Sequence, residues 1–242
     1  MDKNSNAYTF IFAIIMVLVV AAGLSFVATS LQPMQAENVR QEKMQNILKT
    51  IGVETERAGA EELFNKYITE QLSLDHEGNV KKEVEAFNVN LARELKKPVK
   101  EQAFPIYVAD YEGANYYIVP LRGKGLWDAI WGYVALEDDI NTIAGVTFDH
   151  KGETAGLGAE ITTDWFQEQF KDEKVFNEEG ELVGVIVKKG YQADTKGDNM
   201  VDYISGATIT GDGVTDMIKE RLSRYMPYFK TKKSSKIEVA TR

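Results

Sequence analysis

Ser205, Gly206, Ala207, Thr208 and Thr210 stand together in VDYISGATITGDGV, residues 201–214, between an apolar stretch and an amphipathic one. Small residues at the entrance of a helix leave backbone N–H groups open, and the positive end of the helix dipole favours an anion there. A phosphate can come close because no bulky side chain blocks it. The same residue types also cap helices, and Ser205, Thr208, Thr210 and Asp212 each carry an oxygen able to accept from a free N–H. On local sequence the stretch is a phosphate site or a cap. Glycine concentrates again in RGKGLWDAIWG (122–132) and KGETAGLGAE (151–160), where the chain turns tightly or approaches something closely. Three such loops together invite a ligand, although each taken singly reads as an ordinary hairpin turn. GKGLWD and GETAGLGA both lack the spacing of a GxGxxG or Walker loop, so a nucleotide cradled in that way is not supported.

Other chemistries are closed off by composition. The 242 residues include no cysteine, which removes disulfides, thiol catalysis and iron–sulfur ligation by this chain. Any redox role has to use a borrowed cofactor. With two histidines, His76 and His150, and no HExxH or Cys/His spacing, no metal site is expected. A formal net charge of −9 argues against binding nucleic acid, which needs a basic face to displace counterions.

The elements that must position these loops follow from the hydrophobic pattern. Phe10 to Ala28, FIFAIIMVLVVAAGLSFVA, carries no charge and is long enough to cross the apolar core of a bilayer. It reads as an uncleaved anchor in contact with lipid; a signal peptide ending near ATS at 28–30 is the competitor, but apolar signal regions are about 7 to 15 residues long. The absence of charge within it implies that this helix binds no ion itself. Lys3 before the span, against Arg40, Lys43 and Lys49 after it, would by itself place the large domain inside the cell. After Pro33, AENVRQEKMQNILKTIG (36–52) has the spacing of a juxtamembrane helix, and AEELFNKYITEQL (60–72) of a second amphipathic helix with Leu63, Phe64, Tyr67, Ile68 and Leu72 on one side. Residues 75–100 read as loop and exposed helix. FPIYVA, NYYIVPLRG, IWGYVALED, TIAGVTFDH and LVGVIVKKG (182–190) read as strands, TTDWFQEQF (162–170) and GVTDMIKERLSRYMPYF (213–229) as helices. Strands and helices mix without a βαβ repeat, so the class is α+β: one N-terminal transmembrane helix, then a mixed α/β domain with a mostly antiparallel sheet. The expected boundaries are a tail at 1–9, an anchor at 10–31, a juxtamembrane helical region at 32–100, the main domain at 101–230, and a basic, solvated tail at 231–242.

DYISGAT (202–208) resembles the flavinylation motif D-x-x-[ST]-G-A-T, whose last threonine is esterified to the phosphate of FMN. The block GKGLWDAIWGYVALEDDINTIAGVTFDHKGETAGLGAEI (123–161) is similar to the FMN-binding domain of the C-type subunit of Na⁺-translocating NADH:quinone oxidoreductases, and the resemblance extends over nearly the whole chain. It implies a covalent-FMN electron carrier, one flavin per chain, in a membrane complex that moves electrons from NADH to quinone and Na⁺ outward. The resemblance implies that Thr208 bears the phosphoester, with Ser205, Gly206 and Ala207 forming the turn beneath it, and that Asp202 serves the flavin transferase. Glu153, Thr154, Leu157 and Gly158 match the loop lying against the flavin ring; Trp127 is a candidate for packing on the flavin, and Lys189, or Lys188 instead, for pairing with the phosphate. No catalytic acid, base or nucleophile is required. Partners would be the other subunits of the complex, and the flavin domain would lie on the periplasmic side of the bacterial inner membrane, against the reading of the flanking charges. The family usually reads ETPGLG where this chain has Ala155, a loss that should loosen the loop. The G-type subunit of Rnf complexes shares the motif, and a non-redox membrane-anchored binding or scaffold module is the rival of a different class.

Overall fold

The computed structural model describes residues 5–190 and 199–240, the side chains of 233–240 excepted. The chain divides into two compact units, Met1–Lys43 and Met44–Arg242. Helix α1, Asn6–Lys49, contains Pro33 within it. The sequence suggested a break there; the helix continues because Gln32, Met34, Gln35, Ala36 and Glu37 around the proline are good helix formers that offset one lost hydrogen bond. In the first unit the large apolar side chains from Phe10 to Val27 are exposed. Among the described residues α1 is the one helix long and apolar enough to cross a membrane, in keeping with a single-pass anchor.

The second unit is built on a sheet. Helix α2 (Arg57–Tyr67) leads directly into strand β1 (Ile68–Leu74), so the helix expected over 60–72 stops at Tyr67. The short helix α3 (Leu91–Glu94) lies in the polar stretch before β2 (Phe104–Tyr111), β3 (Ala114–Lys124), β4 (Ala129–Leu136) and β5 (Ile143–His150). The five strands pair in chain order, every neighbour antiparallel. Side chains alternate across the strands, which gives the sheet two buried faces. Ile106, Val108, Val119, Leu121, Ile130 and Val134 belong to one core; Tyr107, Ala109, Ile118 and Ala135 belong to the other. The second core is closed by Met44, Ile47 and Leu48 at the end of α1 and by Ala60 and Phe64 of α2.

The first core is closed by segments that follow the sheet. Helix α4 (Asp164–Gln167) is a single turn flanked by 3₁₀ turns, shorter than the helix expected over 162–170. Thr163 stands at its cap position, yet its hydroxyl donates to the Glu160 carbonyl (2.7 Å) rather than capping the helix. Of the expected strand at 182–190 only β6 (Ile186–Lys188) forms, paired in parallel with β7 (Met200–Asp202). Helix α5 runs from Thr208 to Ala240, into the basic stretch expected to be a solvated end. Its Val214, Met217, Ile218, Leu222, Tyr225 and Phe229 recur at helical spacing and all lie in the core against the sheet. The start of α5 crosses the end of β3 closely: a Cβ on Gly213 would collide with the Lys124 carbonyl. That crossing brings the SGAT stretch beside the loops after β3 and β5.

Candidate functional site

Where α5 begins, a pocket of about 190 Å³ is lined by Leu126, Glu153, Thr154, Leu157, Gly158, Gly206, Ala207, Thr208, Ile209 and Thr210. Two of the glycine-rich loops and the SGAT stretch therefore meet at one place. Gly206 has φ +78°, the left-handed conformation that glycine adopts without strain, and a Cβ there would also lie 2.6 Å from Leu157 Cδ2. The turn is closed by the Ala207 N–H donating to the Ile204 carbonyl (3.0 Å), and the Ala207 carbonyl then accepts from Gly211 N–H (2.9 Å) as α5 starts. Ala207 is buried; Ser205, Gly206 and Thr208 are exposed. Thr208 is the first helical residue, and its hydroxyl has no hydrogen-bond partner among the described residues. The Thr208 hydroxyl is thus not spent as a cap.

The opposite wall is held by Glu153. Its side chain is buried, Oε1 accepts from the Trp127 backbone N–H (2.9 Å), and Oε2 accepts from the Thr210 hydroxyl (2.7 Å). Burial pushes the carboxyl pKa up, but the hydrogen bonds from Thr210 and from the backbone of Trp127, Asp128 and Leu126 outweigh it and hold the group below the usual glutamate range. Glu153 is therefore ionised at neutral pH. Its own N–H donates to His150 Nδ1 (3.1 Å). Thr154 Oγ1 accepts from the Trp127 indole N–H (3.2 Å), and Lys151 Nζ pairs with Asp128 Oδ2 (2.8 Å), zipping the loop after β3 to the loop after β5.

The rim is apolar and open. Leu126, Trp127, Leu157 and Ile209 are 43%, 67%, 39% and 57% exposed, a concentration of exposed large side chains that a surface normally avoids unless something covers it. Trp127 stands at this rim through its bond to Thr154 without lining the pocket itself. Lys189 lies just beyond β6, exposed, and neither it nor Lys188 lines the pocket; Lys188 Nζ is instead 3.7 Å from Met200 Sδ. Asp202 ends β7, half-buried, with Oδ1 accepting from the Tyr203 N–H (2.9 Å) and its own N–H donating to Gln169 Oε1 (2.8 Å). Leu126 and Ile209 are lining residues that sequence reasoning did not single out. Thr210, also on the wall, stood out in the sequence as part of the small, hydroxylated stretch and as a possible cap.

An open pocket with a free threonine, small residues at a helix start and an apolar rim fits a phosphate joined to a flat aromatic group. Residues 125–223 match the family model described as FMN-binding domain. The chain is 31% identical over 234 residues to the C-type subunit of the Na(+)-translocating NADH-quinone reductase of Haemophilus ducreyi, covering 90% of each. It is 31% identical over 218 residues to that of Vibrio campbellii, covering 81% of this chain and 83% of the relative. Among solved structures, that of the same reductase component of Parabacteroides distasonis superposes with a TM-score of 0.74 at 37% identity, covering 82% of this chain and 96% of that one. That of Shewanella oneidensis NqrC gives 0.71 at 26% identity, covering 81% and 98%. With such similarity sustained across 90% of both chains, the protein belongs to the NqrC family, the C-type subunits of Na(+)-translocating NADH-quinone reductases.

Proposed function

We propose that this chain is the flavin-bearing electron carrier of a Na⁺-translocating NADH:quinone oxidoreductase and holds one FMN through a phosphoester at Thr208 Oγ1. Family membership supports the electron-carrier role. The observation that carries the attachment point is the Thr208 hydroxyl, exposed and unpartnered among the described residues, on the wall of the pocket at the start of α5. When bound, FMN supplies the redox chemistry, taking up electrons and passing them on. The chain supplies position. Thr208 bears the bond; the N–H groups and dipole of the first turn of α5 offset the phosphate charge, the task expected of Lys189. Leu126, Leu157 and Ile209 offer apolar contact, Trp127 an exposed ring and Thr154 a hydroxyl.

A covalent bond answers a physical difficulty of the site. Its volume of about 190 Å³ falls below the range of about 300–1,000 Å³ for clefts that enclose most of a small ligand, so non-covalent contacts alone would seat the group shallowly. A phosphoester keeps it in place while leaving it accessible to redox partners. In forming the ester, Thr208 Oγ1 would be the group that bonds the flavin phosphate, and the flavin transferase would supply the base that takes its hydroxyl proton. Asp202, at the end of β7 and outside the pocket, is the residue we assign to recognition by that transferase. The partners are the other subunits of the complex, and the flavin domain faces the periplasm, with α1 in the cytoplasmic membrane.

The test is covalent flavin on the full-length chain expressed with a flavin transferase. Ultraviolet fluorescence on a denaturing gel should show a band for wild type and none for Thr208→Ala, with both proteins giving the same circular dichroism. A fluorescent Thr208→Ala band sinks the assignment.

A further inference from the structure

We propose that Glu153 is a positioning residue for the modification of Thr208, acting through Thr210 to hold the first turn of α5 in the rotation that presents the Thr208 hydroxyl outward. The inference rests on the attachment reading above and goes beyond it. Both carboxylate oxygens of Glu153 are already engaged within the protein, one by Trp127 N–H and one by the Thr210 hydroxyl, so its place is beneath the bound group. The carboxylate also has a built seat. A Cβ on Gly125 would lie 2.6 Å from Oε1, and one on Gly158 would lie 2.5 Å from Oε2 and 2.6 Å from Thr210 Oγ1. Any larger residue at either glycine would push the carboxylate off its partners.

The consequence for Thr208 follows from helix geometry. Residues two apart on a helix point about 200° away from each other, so they cannot share a face. Thr210 is 1% exposed and bonded inward to Glu153, while Thr208 is exposed. Fixing the inward direction of Thr210 therefore fixes the outward direction of Thr208. Through Trp127, whose indole is bonded to Thr154, the same carboxylate ties in both pocket loops, so one group sets three chain segments against one another.

The experiment measures initial rates of covalent flavin incorporation into the full-length chain, for wild type, Thr208→Ala, Thr210→Val, Thr210→Ser, Glu153→Ala and the Glu153→Ala/Thr210→Val double variant. Misplacement of a reacting group by about 1 Å costs up to about a hundredfold, so Thr210→Val and Glu153→Ala should each slow incorporation at least about tenfold. The double variant should be no slower than the slower single, because the two residues act as one unit. Thr210→Ser, which restores only the hydroxyl, should run within about twofold of wild type. Thermal unfolding of each variant keeps folding separate from rate. Should Glu153→Ala fail to fold, Thr210→Val, close to threonine in shape, decides the question. Incorporation into Thr210→Val at the wild-type rate overturns the proposal, as do effects that multiply in the double variant; both leave the attachment reading standing if Thr208→Ala stays unlabelled. A labelled Thr208→Ala overturns the attachment reading itself.

Discussion

A buried, ionised carboxylate among hydrogen-bond donors ties stability at Glu153 to pH. The folded pKa lies below the ordinary glutamate value of about 4.3 expected in the unfolded chain. Its contribution is therefore fully present above that value and is lost as pH falls through the folded one. Glu153→Gln removes the titration, so the stability gap between wild type and this variant should be widest above the ordinary glutamate value of about 4.3 and close as pH falls below it. Denaturant unfolding at several pH values checks it; a gap unchanged across that range would mean the carboxyl is not held down. At this scale the sequence was informative where a residue type has few alternative uses. Thr208 in SGAT and the glycines of 151–160 lead to the pocket directly. Glu153 was legible as a member of the site but not in its role, because what it does depends on Thr210 and Trp127, which are 57 and 26 positions away. Lys189 was chosen for its charge alone, and charge without a neighbour specifies no place.

Elements show the same division between local pattern and distant pairing. Phe64, Ile68 and Leu72 recur every four residues, which suits one face of a helix, but even spacing equally puts residues on one face of a strand. Pairing with β2 decides for the strand from Ile68 onward, and a bulge between Ile68 and Glu70 turns Ile68 to the core containing Phe64 while Leu74 joins the other. No local signal marks that switch. Strands β2 to β5 were legible because aromatic and β-branched residues leave no helical alternative of comparable quality. The loop after β5 gives an element-scale prediction. Leu157 N–H donates to the Thr154 carbonyl (3.1 Å), and Gly156 at the third position has φ +76°, the signature of a type II turn. Ala155 occupies the second position, where proline is favoured. Ala155→Pro should therefore raise stability by about 0.4–1 kcal/mol by restricting the unfolded chain, with flavin incorporation unchanged. A fall in stability would show that the turn is not of this type.

For the whole molecule, the apolar run at 10–28 announces an anchor, yet hydropathy alone does not show where anchoring ends and the folded domain begins. The end of α1 and the turn after it belong to the domain: Met44, Ile47 and Leu48 of the helix and Ile51 of the turn are 3%, 0%, 0% and 5% exposed and close the core on the α2 side of the sheet. Their spacing was visible as a juxtamembrane helix, but what they pack against is contributed by β2, β3 and β4, far along the chain. Two truncations separate the functions. Removing residues 1–34 takes away the anchor and leaves this helical end in place, so the product should leave the membrane fraction and unfold cooperatively with nearly unchanged stability. Removing residues 1–52 also strips the four side chains from the core. Each fully buried aliphatic side chain contributes about 1.5–3 kcal/mol, so their combined loss, several kcal/mol at least, is comparable with the whole stability of a domain, about 5–15 kcal/mol. The shorter product should be unfolded or nearly so at room temperature by circular dichroism and denaturant titration. Equal stability in the two truncations would show that the core on this face holds without α1, and that the helix serves the membrane alone.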